Sequence, residues 1–275
     1  EIKVKKIIFI SIISLFSLHN FESLLLLDVS NDNISPPTFS KESGFYDNEF
    51  ELALTSSEKI IYTLDGSDPL NSKTAADYSG PIKIKDRSEE PNIYSEYQED
   101  ENSPQSISRR NNYKKPKYLV DKATVVRAVT KSSGGSSKVV DKTYFITTNN
   151  LAKYQDLTVV SIVTNPDNLF DPDKGIYVTG NQFIQWKNSG EFNGGKNPWD
   201  TDNKCNYFSK GKEWEREASI TIFQKGKIIL QENAGLSLKG ASTRNNPGKS
   251  FGIKAKTKYG VNLFNCEDLF PDNKD

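Results

Sequence analysis

The sequence predicts a mainly β plus α+β protein, with a β-sandwich first and a strand-rich α+β unit after it. Two observations lead to this fold class. Short strand patterns separated by turn residues recur from residue 34 to about residue 146. Further along, residues 234–256 show the pattern of a strand, a polar loop and a second strand. A chain of 275 residues is long enough for two domains, each with its own core.

Strand patterns and their turns define the first unit, residues 34–149. The patterns lie at residues 50–54, 60–64, 125–129 and 139–146. Asp65-Gly66 follows the second pattern and is a strong turn signal. Residues 86–117 interrupt the strands with an acidic block, a basic block and three prolines, which predicts a mobile surface insertion.

The first 28 residues predict that the chain is exported. Three lysines precede an apolar run over residues 7–16, which is the pattern of a secretory signal peptide. An uncleaved membrane anchor is the alternative, and a second apolar run at residues 24–27 favours it. In both cases we expect the rest of the chain at the cell surface or outside the cell.

Charge and residue counts exclude several kinds of site. The chain has 36 basic and 36 acidic residues and no basic stripe, so nucleic acid is not expected as a partner. The only histidine lies in or beside the leader, which excludes a Ser-His-Asp triad and an HExxH zinc site from the mature chain. Cys205 and Cys266 form either one disulfide or two buried thiols. Asp167, Asp171 and Asp173 do not have the spacing of a calcium loop, and we expect them in turns and helix caps.

Two further elements are predicted in the second unit. Residues 157–164 form a continuous apolar strand, the pattern of a strand that is buried on both faces. Residues 215–223 and 227–230 alternate on either side of Lys225-Gly226, which predicts a hairpin with a two-residue turn.

The loop between the last two strands is the candidate binding site. Its end, Gly248-Lys249-Ser250, matches the last three positions of a phosphate loop, but Thr243 stands where the first glycine belongs. A loop of that type must open a helix, whereas the residues after it alternate as in a strand. A strand, a polar loop and a strand are instead how the small lobe of a kinase covers a nucleotide.

Five side chains are candidates for contact with the phosphates of a nucleotide. By strand alternation, Lys249 lies on the same side as the apolar residues that follow it, so its side chain is predicted to point to the inner face. The alternative is that the strand begins after Lys249, in which case its side chain faces water. Arg244 has a planar guanidinium that suits a phosphate, and Ser242 and Thr243 add hydroxyl groups. Lys239 is the weakest candidate, because it lies on the solvated face of its strand.

The first unit resembles a known module. Its motifs are YTLDGSDP at residues 62–69, YSGPIKI at 78–84, ATVVRAV at 123–129 and the closing Tyr144. Together they resemble the immunoglobulin-like module at the C-terminus of chitobiases and β-hexosaminidases. The resemblance implies a spacer or adhesive role, with cell-wall polysaccharide as a partner, because sugar hydrolysis belongs to another domain in those enzymes.

The second unit, residues 156–275, resembles another family. Three blocks carry the resemblance: SIVTNPDNLFDPDKGIYVTGN from residue 161, WEREASITIF from 214 and AGLSLKGASTRNNPGKSFGIKAKTKYG from 234. In order and content they resemble the spore-coat CotH family of atypical secreted protein kinases.

This resemblance implies a kinase-like domain, truncated at its C-terminus, that uses ATP and a divalent metal such as Mg²⁺. Its substrates would be hydroxyls of exported proteins of the spore coat or cell surface. The catalytic and metal-binding residues are expected beyond residue 275, so this part alone is expected to be inactive. The alternative is a non-enzymatic surface protein that mediates adhesion or binds carbohydrate.

Overall fold

The computed structural model describes residues 33–94, 116–147, 151–192 and 204–265, together with residues 267 and 269. The predicted leader, residues 95–115 of the predicted insertion, and Cys266 lie outside the described residues. Within them the protein is mainly β, with a few short helices. No helix in the described part of the chain is long and apolar enough to cross a membrane.

The first unit contains ten strands among its described residues. They are β1 (Thr38–Phe39), β2 (Gly44–Tyr46), β3 (Phe50–Leu52), β4 (Leu54–Thr55), β5 (Lys59–Thr63), β6 (Ala76–Asp77), β7 (Ile82–Ile84), β8 (Ala123–Ser132), β9 (Gly135–Ser136) and β10 (Val140–Ile146). One sheet has the order β2-β10-β8-β5-β6, with β9 paired to β8. The pairs β3-β7 and β1-β4 form the opposite layer. Each predicted strand pattern thus lies on observed strands.

Apolar side chains from both layers form the core of the first unit. Leu52 and Ile84 come from the β3-β7 pair, whereas Val126 and Tyr144 come from the larger sheet, and none of the four is exposed to solvent. The alternation of each strand places one set of side chains in this core and the other set on the far side of its sheet. The larger sheet therefore has a second face, which lies outside the core.

The turn predicted at Asp65-Gly66 is present, with a φ of 80° at Gly66, but it does not join two paired strands directly. The next strand along the chain that pairs with β5 is β6, which begins ten residues after Gly66. Asp65 instead organises a longer loop, because its carboxylate accepts hydrogen bonds from the Ser67 N–H at 3.0 Å and the Thr74 hydroxyl at 2.6 Å. Asp and Asn often stabilise turns through such bonds to the following backbone.

The second unit and the segment that leads into it contain four strands and several short helices among their described residues. They are η1 (Leu151–Tyr154), β11 (Thr158–Val163), α1 (Asp167–Phe170), α2 (Gly180–Asn188), η2 (Asn206–Phe208), η3 (Lys212–Trp214), β12 (Arg216–Gln224), β13 (Lys227–Lys239), η4 (Ser242–Asn245) and β14 (Ser250–Lys254). The sheet is antiparallel in the order β11-β12-β13-β14. Side chains of α2 and η2, including Phe183, Trp186 and Tyr207, pack on one face of it with Ile220 and Leu236.

The predicted hairpin around Lys225-Gly226 is confirmed. Strands β12 and β13 pair directly across these two residues, which have φ values of 50° and 75°. Positive φ at both central positions is the conformation of the tight turn that matches the twist of a hairpin. The turn and the alternation together fix which side chains of β12 and β13 face the core.

The structure contradicts the prediction that strand β11 is buried on both faces. Among the described residues it pairs only with β12, so it lies at an edge of the sheet. Leu157 and Val160 are 52% and 45% exposed. An apolar run alone does not distinguish a central strand from an edge strand. Burial depends on which strands lie beside it, and those strands come from distant parts of the sequence.

Asp171 and Asp173 have the turn role that was predicted, whereas Asp167 is the first residue of α1 and its carboxylate lies 3.5 Å from the Lys174 ammonium. The Asp171 carboxylate accepts hydrogen bonds from the N–H groups of Asp173 and Lys174, both at 2.9 Å. Asp173 in turn accepts a hydrogen bond from the Asn181 side chain at 2.8 Å. These bonds close the turn that leads into α2.

Candidate functional site

The connection between β13 and β14, residues 240–249, lies where the sequence places the candidate site. Lys239 pairs with Ser250 at the two ends of this connecting loop. The loop begins at Gly240, whose φ of 100° favours glycine, and it contains the single turn η4. A strand follows the loop, as predicted, and not the helix that a phosphate loop requires.

Arg244 lies inside the loop and is only 8% exposed. Its guanidinium donates hydrogen bonds to the backbone carbonyls of Gly240 at 2.9 Å and Leu238 at 2.7 Å. Further bonds reach the carbonyls of Ser209 at 2.9 Å and Tyr207 at 3.4 Å. Burial lowers the pKa of Arg244. Arg244 thus ties the loop to the end of β13 and to the segment around η2, and its contact with phosphate stays a prediction.

Lys249 also points inward, on the side that its strand parity predicts, and is 7% exposed. Its ammonium donates to the Asn246 carbonyl at 2.9 Å and lies 4.6 Å and 5.0 Å from the ring centroids of Tyr207 and Tyr177. A lysine over an aromatic face is attracted by the electrons of the ring. Tyr177 also donates its hydroxyl to the Pro247 carbonyl at 2.9 Å. In this arrangement Lys249 stabilises the loop from within.

The remaining candidates face outward. Thr243 and Lys239 are exposed, and Ser242 is half-buried. The stem of Lys239 crosses Gly252 on β14, since a Cβ atom at Gly252 would lie 2.4 Å from the Lys239 Cε. Lys239 therefore lies on the solvated face of β13, as predicted, and Gly252 leaves the space for it.

A cluster of charged side chains that is not among the predicted site residues lies on the same face of this hairpin. The Glu215 side chain is only 2% exposed, and its two carboxylate oxygens accept hydrogen bonds from the Lys256 ammonium at 2.7 Å and 2.6 Å. The Tyr259 hydroxyl donates at 3.0 Å. Lys258 and Lys254 lie 3.2 Å and 3.6 Å from the same carboxylate. We call Glu215, Lys254, Lys256, Lys258 and Tyr259 the lysine cluster.

The electrostatics of the lysine cluster keep Glu215 ionised. Burial alone would raise the pKa of Glu215, but hydrogen bonds from Lys256, Tyr259 and Lys258 outweigh it and lower the pKa to about 2. Glycine at position 235 makes the packing possible, because a Cβ atom there would lie 2.7 Å from the Glu215 Cδ. The cluster carries three ammonium groups and one carboxylate, so it has an excess of positive charge.

Part of this cluster has a signal in the sequence. Lys254, Lys256 and Lys258 occupy alternate positions, which predicts that they share one side of an extended segment. Glu215 lies 41 residues from Lys256 along the chain, at the end of a 3-10 turn, and no local pattern links the two. Only the pairing of β12 with β13 and of β13 with β14 brings them together.

Lys239 and the lysine cluster share the outer face of the β13–β14 hairpin, opposite the core. Register places Lys239, Gly252 and Lys254 on this face, while Leu238 and Phe251 face inward. Positive charge beside exposed hydroxyls is suited to an anion such as a phosphate group. Among the described residues, no group of three or more His, Cys, Asp or Glu side chains could hold a metal ion.

Comparison with known proteins identifies part of the first unit. Residues 50–144, about a third of the chain, match the sequence profile of the family described as Fn3 associated. The match covers β3 to β9 and most of β10 in the two-layered first unit. No match to the CotH family was found. Neither curated proteins nor solved structures gave a match to the chain.

Proposed function

We propose that residues 156–275 form the nucleotide-covering lobe of an exported, CotH-like atypical protein kinase. This kinase would transfer phosphate from ATP to hydroxyl groups of coat or cell-surface proteins. The observation that carries the proposal is the β13–β14 hairpin, whose polar loop is fixed from within and whose outer face is cationic. The three sequence blocks that resemble the CotH family all belong to this unit.

The loop supports nucleotide binding through its fixed shape. Arg244 and Lys249 bond to backbone carbonyls of the loop and its neighbours, so little conformational freedom is left to lose on binding. Thr243 and Ser242 then offer hydroxyl donors at a constant position. In this proposal Arg244 and Lys249 shape the loop, in place of the phosphate contacts predicted for them from the sequence, and the outward groups contact the phosphates.

Lys239 and Lys254 are the cations that we assign to the phosphates. Both lie on the outer face of the hairpin, and the Lys254 side chain is 44% exposed. Lys256 is engaged by both oxygens of Glu215 and serves to position the cluster. A hydrogen bond between an ammonium and a phosphate is worth roughly 1.5–3 kcal/mol, since both groups are charged.

We assign no site for Mg²⁺ to the described residues. They contain no group of three or more potential metal-ligating side chains, and Asp171 and Asp173 are engaged in turn hydrogen bonds. The proposal therefore assigns this part of the chain to nucleotide binding and assigns none of its residues to the metal.

Titration of the chain with ATP tests the proposal. Lys239→Ala removes one outward cation and is expected to weaken ATP binding roughly tenfold or more. Lys227→Ala is the matched control, because Lys227 is also an exposed lysine on β13 but lies at the opposite end of the strand. If both variants bind ATP with the same affinity as the unaltered chain, the hairpin is not the nucleotide site.

A second candidate function, adhesion through carbohydrate, is favoured by one aromatic side chain of the first unit. Tyr118 is 72% exposed, and aromatic rings in solvent are suited to stacking on sugars. Retention of the chain on chitin, cellulose or peptidoglycan that is lost in Tyr118→Ala would support this function. Retention that is unaffected by the substitution would not.

A further inference from the structure

The larger sheet of the first unit and the sheet of the second unit contact each other. Each uses the face that points away from the core of its own unit. On β10, Thr143 and Phe145 point away from the core that contains Tyr144. On β12, Thr221 and Phe223 point away from the core that contains Ile220. These two outer faces contact each other, so the first unit covers part of the second sheet.

Phe223 shows how close this contact is. It is completely buried, yet it belongs to the core of neither unit. Its ring packs edge-to-face against Phe45 at 5.4 Å and Phe145 at 6.0 Å between centroids, and these two rings stack on each other at 4.5 Å. A completely buried phenylalanine outside both cores means that the contact itself excludes water from it.

Polar groups in the contact are buried as well. Thr143 and Thr221 are each 2% exposed, and the Thr143 hydroxyl lies 2.9 Å from the hydroxyl of Ser161 on β11. Asp141 is 7% exposed, and the Ser219 side chain of β12 is one of the groups that counteract the effect of burial on the pKa of Asp141. Burial of polar side chains is costly unless they find partners, and the partner of Thr143 comes from the other unit.

The segment between the units is fastened to the first unit. Tyr154 of η1 packs on Phe45, with 5.2 Å between the ring centroids. The Tyr154 hydroxyl and the Lys153 ammonium both bond to the carboxylate of Asp121. Beyond the sheets, Tyr94 stacks on Phe170 of α1 at 5.4 Å. Contacts thus join the two units at several separated points.

We propose that the first unit is an intramolecular brace for the second sheet and not a mobile spacer. It shields the outer face of β11 and β12, and the stability of those strands depends on it. The partner that fits the outer face of β10 and β2 is therefore this chain's own second unit. The inference does not depend on phosphate transfer, because it rests only on the contact between the sheets.

Amide hydrogen exchange of the full chain tests this dependence. Phe145→Leu removes a ring from the contact, whereas Phe50→Leu removes one from the core of the first unit. Phe145→Leu is expected to speed exchange in β11 and β12 by about tenfold or more. Phe50→Leu is expected to leave those strands unchanged and to affect its own neighbours. Unchanged exchange in β11 and β12 of the folded Phe145→Leu chain would overturn the proposal.

A cross-link tests the contact without weakening it. The double variant Thr143→Cys with Ser161→Cys places two thiols where two hydroxyls are in contact. Oxidation of the folded chain is expected to join them, and neither single variant should give the same linked peptide pair. Absence of that pair after oxidation of the folded double variant would mean that the two faces do not dock.

Discussion

Glu215 is the side chain on which the lysine cluster depends. It is buried and accepts hydrogen bonds from Lys256 and Tyr259. Glu215→Gln removes the charge that offsets three ammonium groups while keeping the size of the side chain. We expect the free energy of unfolding to fall by about 1.5–3 kcal/mol, because each lost bond involves a charged group. Urea denaturation measures this, with Glu217→Gln, an exposed residue near the start of β12, as the control.

The pH dependence of stability follows from the same carboxylate. In the folded chain the pKa of Glu215 is about 2, below the ordinary value of 4.5 that we expect in the unfolded chain. The contribution of Glu215 is therefore present above about pH 4.5 and is lost as the pH falls toward 2. We expect this part of the acid destabilisation to be absent from Glu215→Gln. The measurement is the free energy of unfolding of the unaltered chain and of Glu215→Gln at several pH values between 5 and 2. Identical pH dependence of the two chains would contradict this prediction.

Arg244 provides a second prediction at the residue scale. Its planar guanidinium serves four backbone carbonyls, an arrangement that a single ammonium cannot reproduce. Arg244→Lys is therefore expected to lower the free energy of unfolding by about 1–3 kcal/mol, even though the charge is retained. Chemical denaturation measures the change. Full stability of Arg244→Lys would mean that the four bonds do not brace the loop.

The turn between β12 and β13 provides a prediction at the scale of an element. Lys225 is the non-glycine residue with positive φ among the described residues, and Asn adopts this conformation more readily than Lys. Lys225→Asn is expected to stabilise the protein by about 0.5 kcal/mol. Gly226→Ala, in contrast, should cost about 1 kcal/mol at a φ of 75°. Thermal unfolding of both variants checks the opposite signs.

Local patterns in the sequence predict secondary-structure elements more successfully than they predict which elements and side chains lie next to each other in the fold. The β12–β13 hairpin and β14 could be predicted, because alternation and turn residues are local features. The edge position of β11 could not, since it depends on which strands lie beside it. Strand parity also predicted that Lys249 points inward, but the tyrosines that receive it come from positions 177 and 207. For the same reason Glu215 was missed, because its partners follow it by about forty residues.

At the scale of the whole molecule, the contact between the sheets contains a carboxylate that is costly to keep charged. Burial raises the pKa of Asp141, although the charge of Arg127, a hydrogen bond from Ser219 and the charge of Lys142 act in the opposite direction. One of its oxygens and the Arg127 Nε have no hydrogen-bond partner within the described part of the chain. The folded chain thus takes up a proton more readily than the unfolded chain at this site.

Asp141→Asn tests this effect. Because the pKa of Asp141 is raised in the folded chain, its contribution to stability is greatest below the ordinary value of 3.8 and falls as the pH rises through the folded value. The substitution should therefore stabilise the protein more at pH 7 than at pH 4, as measured by thermal unfolding at both pH values. An equal effect at the two pH values would show that ionisation of Asp141 does not weaken the contact.

Binding of ATP by the β13–β14 hairpin is the central claim of this account. Amide hydrogen exchange of the chain in the presence of ATP tests it most directly, with adenosine as the control that lacks phosphates. We predict that ATP slows exchange in residues 240–254, which form the connecting loop and β14, and that adenosine does not. Exchange in this segment that is unchanged by saturating ATP, or slowed equally by adenosine, would contradict the assignment of the hairpin to the phosphates.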